Sequence, residues 1–239
     1  MKFWKEFKGY NFNIQGKSKK LCQDIFTFDI ETTNILSLDG SFLPASKYQD
    51  LDEKSQELCE FLAFPYIWQF GINDEIYFGR TFDELDEFLK LIDKLTNNVR
   101  KIIFVHNLSF EFQFIYSHFN ITDVFARKSR HVIKCKLLDY NFELRCTYVM
   151  SNVALKILAK TYRLPVQKLD GDLDYDLIRN SKTCLNDKEL SYCEHDCLVV
   201  YYYILEELKT YGDVSKIPST STGHVRRELK ERVLSNYNY

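Results

Sequence analysis

The sequence predicts a mixed α/β domain, one sheet with helices on its faces. Three observations carry that prediction. Apolar runs of strand length, rich in aromatic and β-branched residues, recur at 25–30, 61–72, 76–78 and 101–106. Segments with helical spacing lie between and after them, notably 82–92 and 186–209. At 239 residues the chain is long enough to bury about 70 to 75% of its unfolded surface in one large domain. Its 45% hydrophobic content, eight glycines and four prolines are those of an ordinary globular protein.

Each element has a local reason. After the first strand, Ile25 to Thr33, the polar stretch 34–56 is expected to be a long loop with at most a helical turn. Two strands around Asn73-Asp74 should then pair with the first as a meander. A helix begins after Thr81, with Asp83 and Glu84 in its first turn and Phe82, Leu85, Phe88, Leu89 and Ile92 at helical spacing. The run 101–106 reads as a buried strand and 110–117 as a helix. From Ile121 to Tyr148 the pattern is strand-like, with a hairpin across Leu138 to Asn141, and 154–162 is a short amphipathic helix. Asn186 and Glu189 form a capping box that opens a long helix to about Lys209. We expect the domain to occupy 1–212, and 213–239 to be a linker and a terminal helix leading toward an absent domain.

Composition bounds the environment. The seven cysteines form no C-x-x-C pair, which suits reduced thiols, and the N-terminus lacks an apolar signal core, so the expected compartment is cytoplasmic, a host cytoplasm if the protein is viral. No stretch approaches a membrane span. A net charge of −2 argues against a long duplex-DNA footprint, which needs many cations on phosphate, and leaves a short or single-stranded partner open. Basic clusters at Lys17, Lys19 and Lys20, and at Arg127, Lys128, Arg130, His131, Lys134 and Lys136, read as solvated turns and hairpin edges in preference to phosphate contacts.

The chemistry is carried by acids. Strand side chains alternate, so Phe26, Phe28 and Ile30 face one way and Thr27, Asp29 and Glu31 the other. Two like charges side by side in a partly buried sheet call for a compensating cation, unless the strand lies at an edge with both acids in water. Further along come Asn107 to Glu111 at a strand-to-helix junction, and Tyr192 with Asp196, four apart and hence on one helix face. Carboxylates holding two hard cations can activate a water and stabilise both oxygens of a phosphodiester displacement, and oxygen ligands favour Mg²⁺ or Mn²⁺. Cys193, His195 and Cys197 are two apart on a helix and diverge, which disfavours a zinc site.

These three motifs, Asp29-Ile30-Glu31-Thr32-Thr33, His106-Asn107-Leu108-Ser109-Phe110-Glu111 and Tyr192 to Asp196, resemble those of the proofreading 3′-5′ exonuclease domain of family B DNA polymerases, nearest to the protein-primed branch of phages and linear plasmids. The likeness spans about Phe26 to Tyr203, and Leu169-Asp170-Gly171-Asp172-Leu173-Asp174-Tyr175 resembles a further segment of that branch. It implies a ribonuclease-H-like mixed β-sheet flanked by helices, and hydrolysis at the 3′ end of single-stranded DNA with two Mg²⁺ or Mn²⁺ ions. Asp29, Glu31, Glu111 and Asp196 would hold metal, Tyr192 would orient the attacking water, and Lys168 would match the branch's catalytic lysine. Thr32, His106, Asn107, Phe110, Thr147, Tyr148 and Tyr175 would contact nucleic acid. A polymerase domain or subunit is the implied partner.

Two departures stand out. The family's second motif ends in Asp, whereas here it ends in Glu111, one methylene longer, and a misplacement near 1 Å can cost about 100-fold in rate. Lys168 lies two residues before the place where the branch has its lysine, which Asp170 occupies. The competing expectation is a weakened module that binds single-stranded ends or docks on a polymerase without cutting. The polymerising motifs of the family do not occur before Tyr239.

Overall fold

The computed structural model describes residues 1–15, 21–169, 174 and 176–236. The basic residues Lys17, Lys19 and Lys20, the segment 170–173 and Tyr175 lie outside them.

The chain builds a nine-stranded mixed sheet. It starts with β1 (Lys2–Phe3), a small separate ladder of β2 (Ile14–Gln15) and β3 (Leu21–Cys22), then β4 (Phe26–Leu38), β5 (Ser41–Pro44) and helix α1 (Glu53–Leu58). Next come β6 (Glu60–Ile72), β7 (Glu75–Gly79), α2 (Phe82–Leu95), β8 (Lys101–Val105) and α3 (Leu108–Ile115). The second half holds β9 (Ile121–Ala126), β10 (Val132–Leu137), β11 (Phe142–Cys146), α4 (Thr147–Ser151), α5 (Leu155–Thr161), α6 (Asp187–Tyr211) and α7 (Ser221–Asn236). The strand order is β1-β7-β6-β4-β8-β11-β10-β9, with β5 paired to β4. β4, β8 and β11 run parallel, and the meander β4-β6-β7 is antiparallel as expected. This is the ribonuclease-H-like arrangement.

Side-chain alternation sorts the core into two layers. Phe26, Phe28 and Ile30 join Phe70, Phe88 and Phe142 on the α2 and α3 side. Ile25, Ile102 and Phe104 meet Leu155 and Leu158 of α5 and Val199, Val200 and Tyr203 of α6 on the other. The long helix forms where its cap was legible: the Asn186 side chain accepts from the Lys188 and Glu189 amides at 3.0 and 3.1 Å, and Gly212, at φ 68°, ends it. Thr81 caps α2 in the same way with Glu84. Among the described residues no helix is long and apolar enough to cross a membrane.

One expectation is corrected. The stretch 34–56 is not a long loop: β4 continues to Leu38, turns through Asp39 and Gly40 into β5, and reaches α1 by a 3₁₀ turn at 45–50. Ile35 and Leu36, buried and paired to Leu62 and Phe61, hold this extension onto β6. The alternation signal fails there because the flanking residues Asn34 and Asp39 to Phe42 are exposed. Similarly, Thr147 and Tyr148 do not continue the preceding strand but open α4. Past Gly212, Val214 and Ile217 are buried beside α6, and Arg145 donates to both carbonyls at 3.3 and 3.1 Å. α7 presents Val225, Leu229 and Val233 to solvent.

Candidate metal centre

The acids of β4 face α6. Ligand atoms of Asp29, Glu31 and Asp196 all lie within 4.8 Å of one another, an arrangement able to hold a divalent cation. Strand alternation presents the first two, and the third comes from the middle of α6, packed across β4. Tyr192 lies one turn before Asp196 and is buried with it. The Lys168 ammonium reaches this face, paired to Asp196 and 4.7 Å from the centre of the Tyr192 ring. Glu111 stands outside the group of three, in the first turn of α3, close enough to Asp29 for each carboxyl to act on the other's charge.

The electrostatics are those of a cluster in want of positive charge. Burial, then the neighbouring Asp196, push the Asp29 carboxyl up to about 7, against the pull of Lys168 and Glu111. Burial, with Asp29 and Asp196 beside it, raises Glu31 well above the usual carboxylate range. Burial and Asp29 do the same to Glu111. Asp196 is raised by burial in spite of Lys168. Burial also works against the Lys168 charge, but Asp196, Asp29 and Glu31 outweigh it and hold its pKa above the ordinary value. Two carboxylate oxygens, Glu111 Oε2 and Asp196 Oδ1, are buried without a hydrogen-bond partner. An orphaned buried acceptor costs about 1–3 kcal/mol, so an all-oxygen site with two of them fits Mg²⁺ or Mn²⁺. Cys193 and Cys197 are buried in the core and contribute nothing to this group.

Supporting residues escaped the sequence reading. Gln69 is fully buried opposite Asp29 in the β4–β6 register. With its amide nitrogen turned toward Asp29, the orientation that satisfies both groups, it donates to Oδ2 at 3.2 Å and to the carbonyl at 2.9 Å. The available signal was a lone Gln in the apolar run 61–72. A register shift between Glu31 and Thr32, opposite Pro65, marks a β-bulge that sets the buried Tyr66 near Glu31. Arg179 lies over the Tyr66 ring at 5.7 Å, pairs with Glu189 and donates its amide to Thr33 Oγ1 at 2.8 Å, so it ties the segment leading into α6 to β4. Arg179→Ala takes the ion-pair partner from the buried Glu189, to which the Asn186 amide still donates at 2.8 Å, and thermal denaturation is expected to show a loss of about 3 kcal/mol.

The other predicted contacts that the structure describes lie on β4, at the junction of β8 and α3, and on α4. Thr32 follows the acids on β4, half-buried. His106 leaves β8 and shares a hydrogen bond with Thr147 Oγ1 at 3.0 Å, and burial, aided by Lys168, pushes its pKa down to about 4, so it is neutral near pH 7. Thr147 is fully buried and turned to His106 rather than to solvent. Asn107, at φ 66°, is exposed at the start of α3. Phe110 is half-buried against Phe114. Tyr148 is exposed, its ring edge-on to His106 at 5.8 Å. Tyr175 lies outside the described residues.

No family model and no curated protein matches the sequence. Solved structures do. The chain is similar to phi29 DNA polymerase complexed with single-stranded DNA, at 18% identity and a TM-score of 0.53, over 79% of this chain and 32% of that one. The same polymerase with primer-template DNA matches at 16% identity and a TM-score of 0.54, over 79% and 31%. The chain thus spans about a third of the length of the structures it matches. At this identity the likeness is one of fold: the chain has the fold of part of phi29 DNA polymerase, a mixed sheet flanked by helices as the three motifs led us to expect.

Proposed function

We propose that the chain is a divalent-metal-dependent 3′-5′ exonuclease acting on the 3′ end of single-stranded DNA, the editing part of a DNA polymerase of the protein-primed type. The observation that carries this reading is the convergence of Asp29, Glu31 and Asp196, with Lys168 among them, on a fold shared with a polymerase solved with single-stranded DNA. Asp29, Glu31 and Asp196 would hold one cation, and Asp29 with Glu111 a second. Two Mg²⁺ or Mn²⁺ ions would supply an activated water and stabilise charge on the entering and leaving oxygens. Tyr192 orients that water through its phenol. Thr32, Asn107, Phe110 and Tyr148 line the approach of the strand end, where one stacked base contributes about 1–3 kcal/mol without reading sequence.

A module that captures a 3′ end without cutting is the second reading, favoured by Glu111, which stands outside the group of three acids. A 5′-labelled oligonucleotide incubated with Mg²⁺ or Mn²⁺ tests both: a ladder shortening from the 3′ end, stopped by EDTA, supports the enzyme, and retention at full length supports the module. Glu111→Gln is expected to lower the laddering rate about 100-fold, while Glu111→Asp, one methylene shorter, stays within about tenfold of the parent. An unchanged Glu111→Gln rate would remove Glu111 from the second metal position.

A further inference from the structure

A groove of about 340 Å³ is lined by Arg127, His131, Tyr148, Asn152, Thr220 and Thr222 among others. One wall is the β9–β10 turn, ordered by the Arg127 amide donating to the His131 carbonyl and the His131 amide to that of Lys128, each at 3.1 Å. The other wall is the start of α7. Tyr148, which lines the groove, sets its ring edge-on to His106 at 5.8 Å, the residue that follows β8. In this hairpin Lys136 is paired to Asp123 at 2.6 Å, but Arg127, Lys128 and Arg130 make no ion pair among the described residues. The turn that forms this wall therefore carries three cations, Arg127 on the groove itself and Lys128 and Arg130 beside it in the turn, that no acid among the described residues meets.

An aromatic floor, unpaired cations on one wall and hydroxyl donors on the other suit a flexible polyanion with flat bases. We infer that this groove binds the single strand upstream of its 3′-terminal nucleotides, with Arg127 on a phosphate and Tyr148 at the passage from the acid cluster. The inference rests on the exonuclease reading for the position of the 3′ end.

Binding is measured in EDTA, where no cleavage occurs, by fluorescence anisotropy of a labelled oligothymidylate of about twelve nucleotides over a range of KCl concentrations. Arg127→Glu is expected to weaken binding about tenfold and to lower the salt slope by about 0.7, the loss of one phosphate contact on a single strand. Thr222→Glu, on the opposite wall, should weaken it likewise, although an acid in the first turn favours the helix. Competition by a trinucleotide should be unchanged in both variants. Lys94→Glu, the same charge change at the end of α2, should bind within about twofold of the parent. Parental affinity in Arg127→Glu, or an equal loss in Lys94→Glu, would overturn the groove. A parent that binds through Arg127 yet never ladders with Mn²⁺ would overturn the exonuclease reading and leave the groove standing.

Discussion

Asp29→Asn is expected to lower 3′ cleavage by roughly 100- to 1000-fold while raising the melting temperature of the metal-free protein. Both effects come from one feature: Asp29 sits among Glu31, Asp196 and Glu111 with Lys168 as its nearby cation. Its carboxyl is raised from 3.8 to about 7 in the fold. Below about pH 4 both the folded and unfolded chains hold the proton, and the favourable contribution of the protonated form is fully present. As pH rises toward 7 the unfolded chain releases that proton first, so this contribution is lost between about 4 and 7. At about 1.4 kcal/mol per pKa unit the loss amounts to several kcal/mol, and each one moves the melting temperature by about 2–4 °C in a chain of this size. In EDTA the parent should therefore melt lower at pH 7.5 than at pH 5, and Asp29→Asn should flatten that slope. Added Mn²⁺ should raise the parent's melting temperature most at the higher pH, where protons compete least, and raise the variant's much less. A variant with parental cleavage would remove Asp29 from the site, and one with the parental slope would remove it from the electrostatic strain.

What could be read from the sequence was whatever obeys a short period. Alternation along β4 put Asp29 and Glu31 on one face, and the four-residue spacing of Tyr192 and Asp196 put both on the buried side of α6. The Asn186 capping box located the helix that carries the third acid. None of these needs a distant partner to be recognised. Gln69 and Tyr66 do, because their contacts depend on cross-strand register and on a bulge opposite Thr32 that no local pattern marks. Arg179 is equally silent in sequence: its partners, Thr33 and Glu189, lie 146 and 10 residues away. The extension of β4 into 34–38 hides for the opposite reason, since the exposed residues that flank the buried Ile35 and Leu36, Asn34 on one side and Asp39 to Phe42 on the other, mimic a loop.

Lys168→Ala is expected to lower cleavage about 100-fold without weakening the protein's hold on metal. In the metal-free chain the ammonium is the counter-ion of Asp196 and also lies near Asp29 and Glu31, which together keep it charged against the cost of burial. A cation that enters this group meets the same carboxylates and so competes with Lys168 for them. Removing the ammonium takes away that competitor, and the Mn²⁺ concentration giving half-maximal cleavage should stay level or fall. On the proposed function the rate should drop, because the ammonium beside Asp196 would no longer be there to meet the scissile phosphate. Lys168→Arg keeps the charge but spreads it over a planar fork, and should recover part of the rate. Were Lys168 there only to orient Asp196, its loss would misplace a metal ligand, and the half-maximal Mn²⁺ concentration would rise in step with the fall in rate. The direction of that one shift separates a lysine that touches the substrate from one that acts through its neighbour.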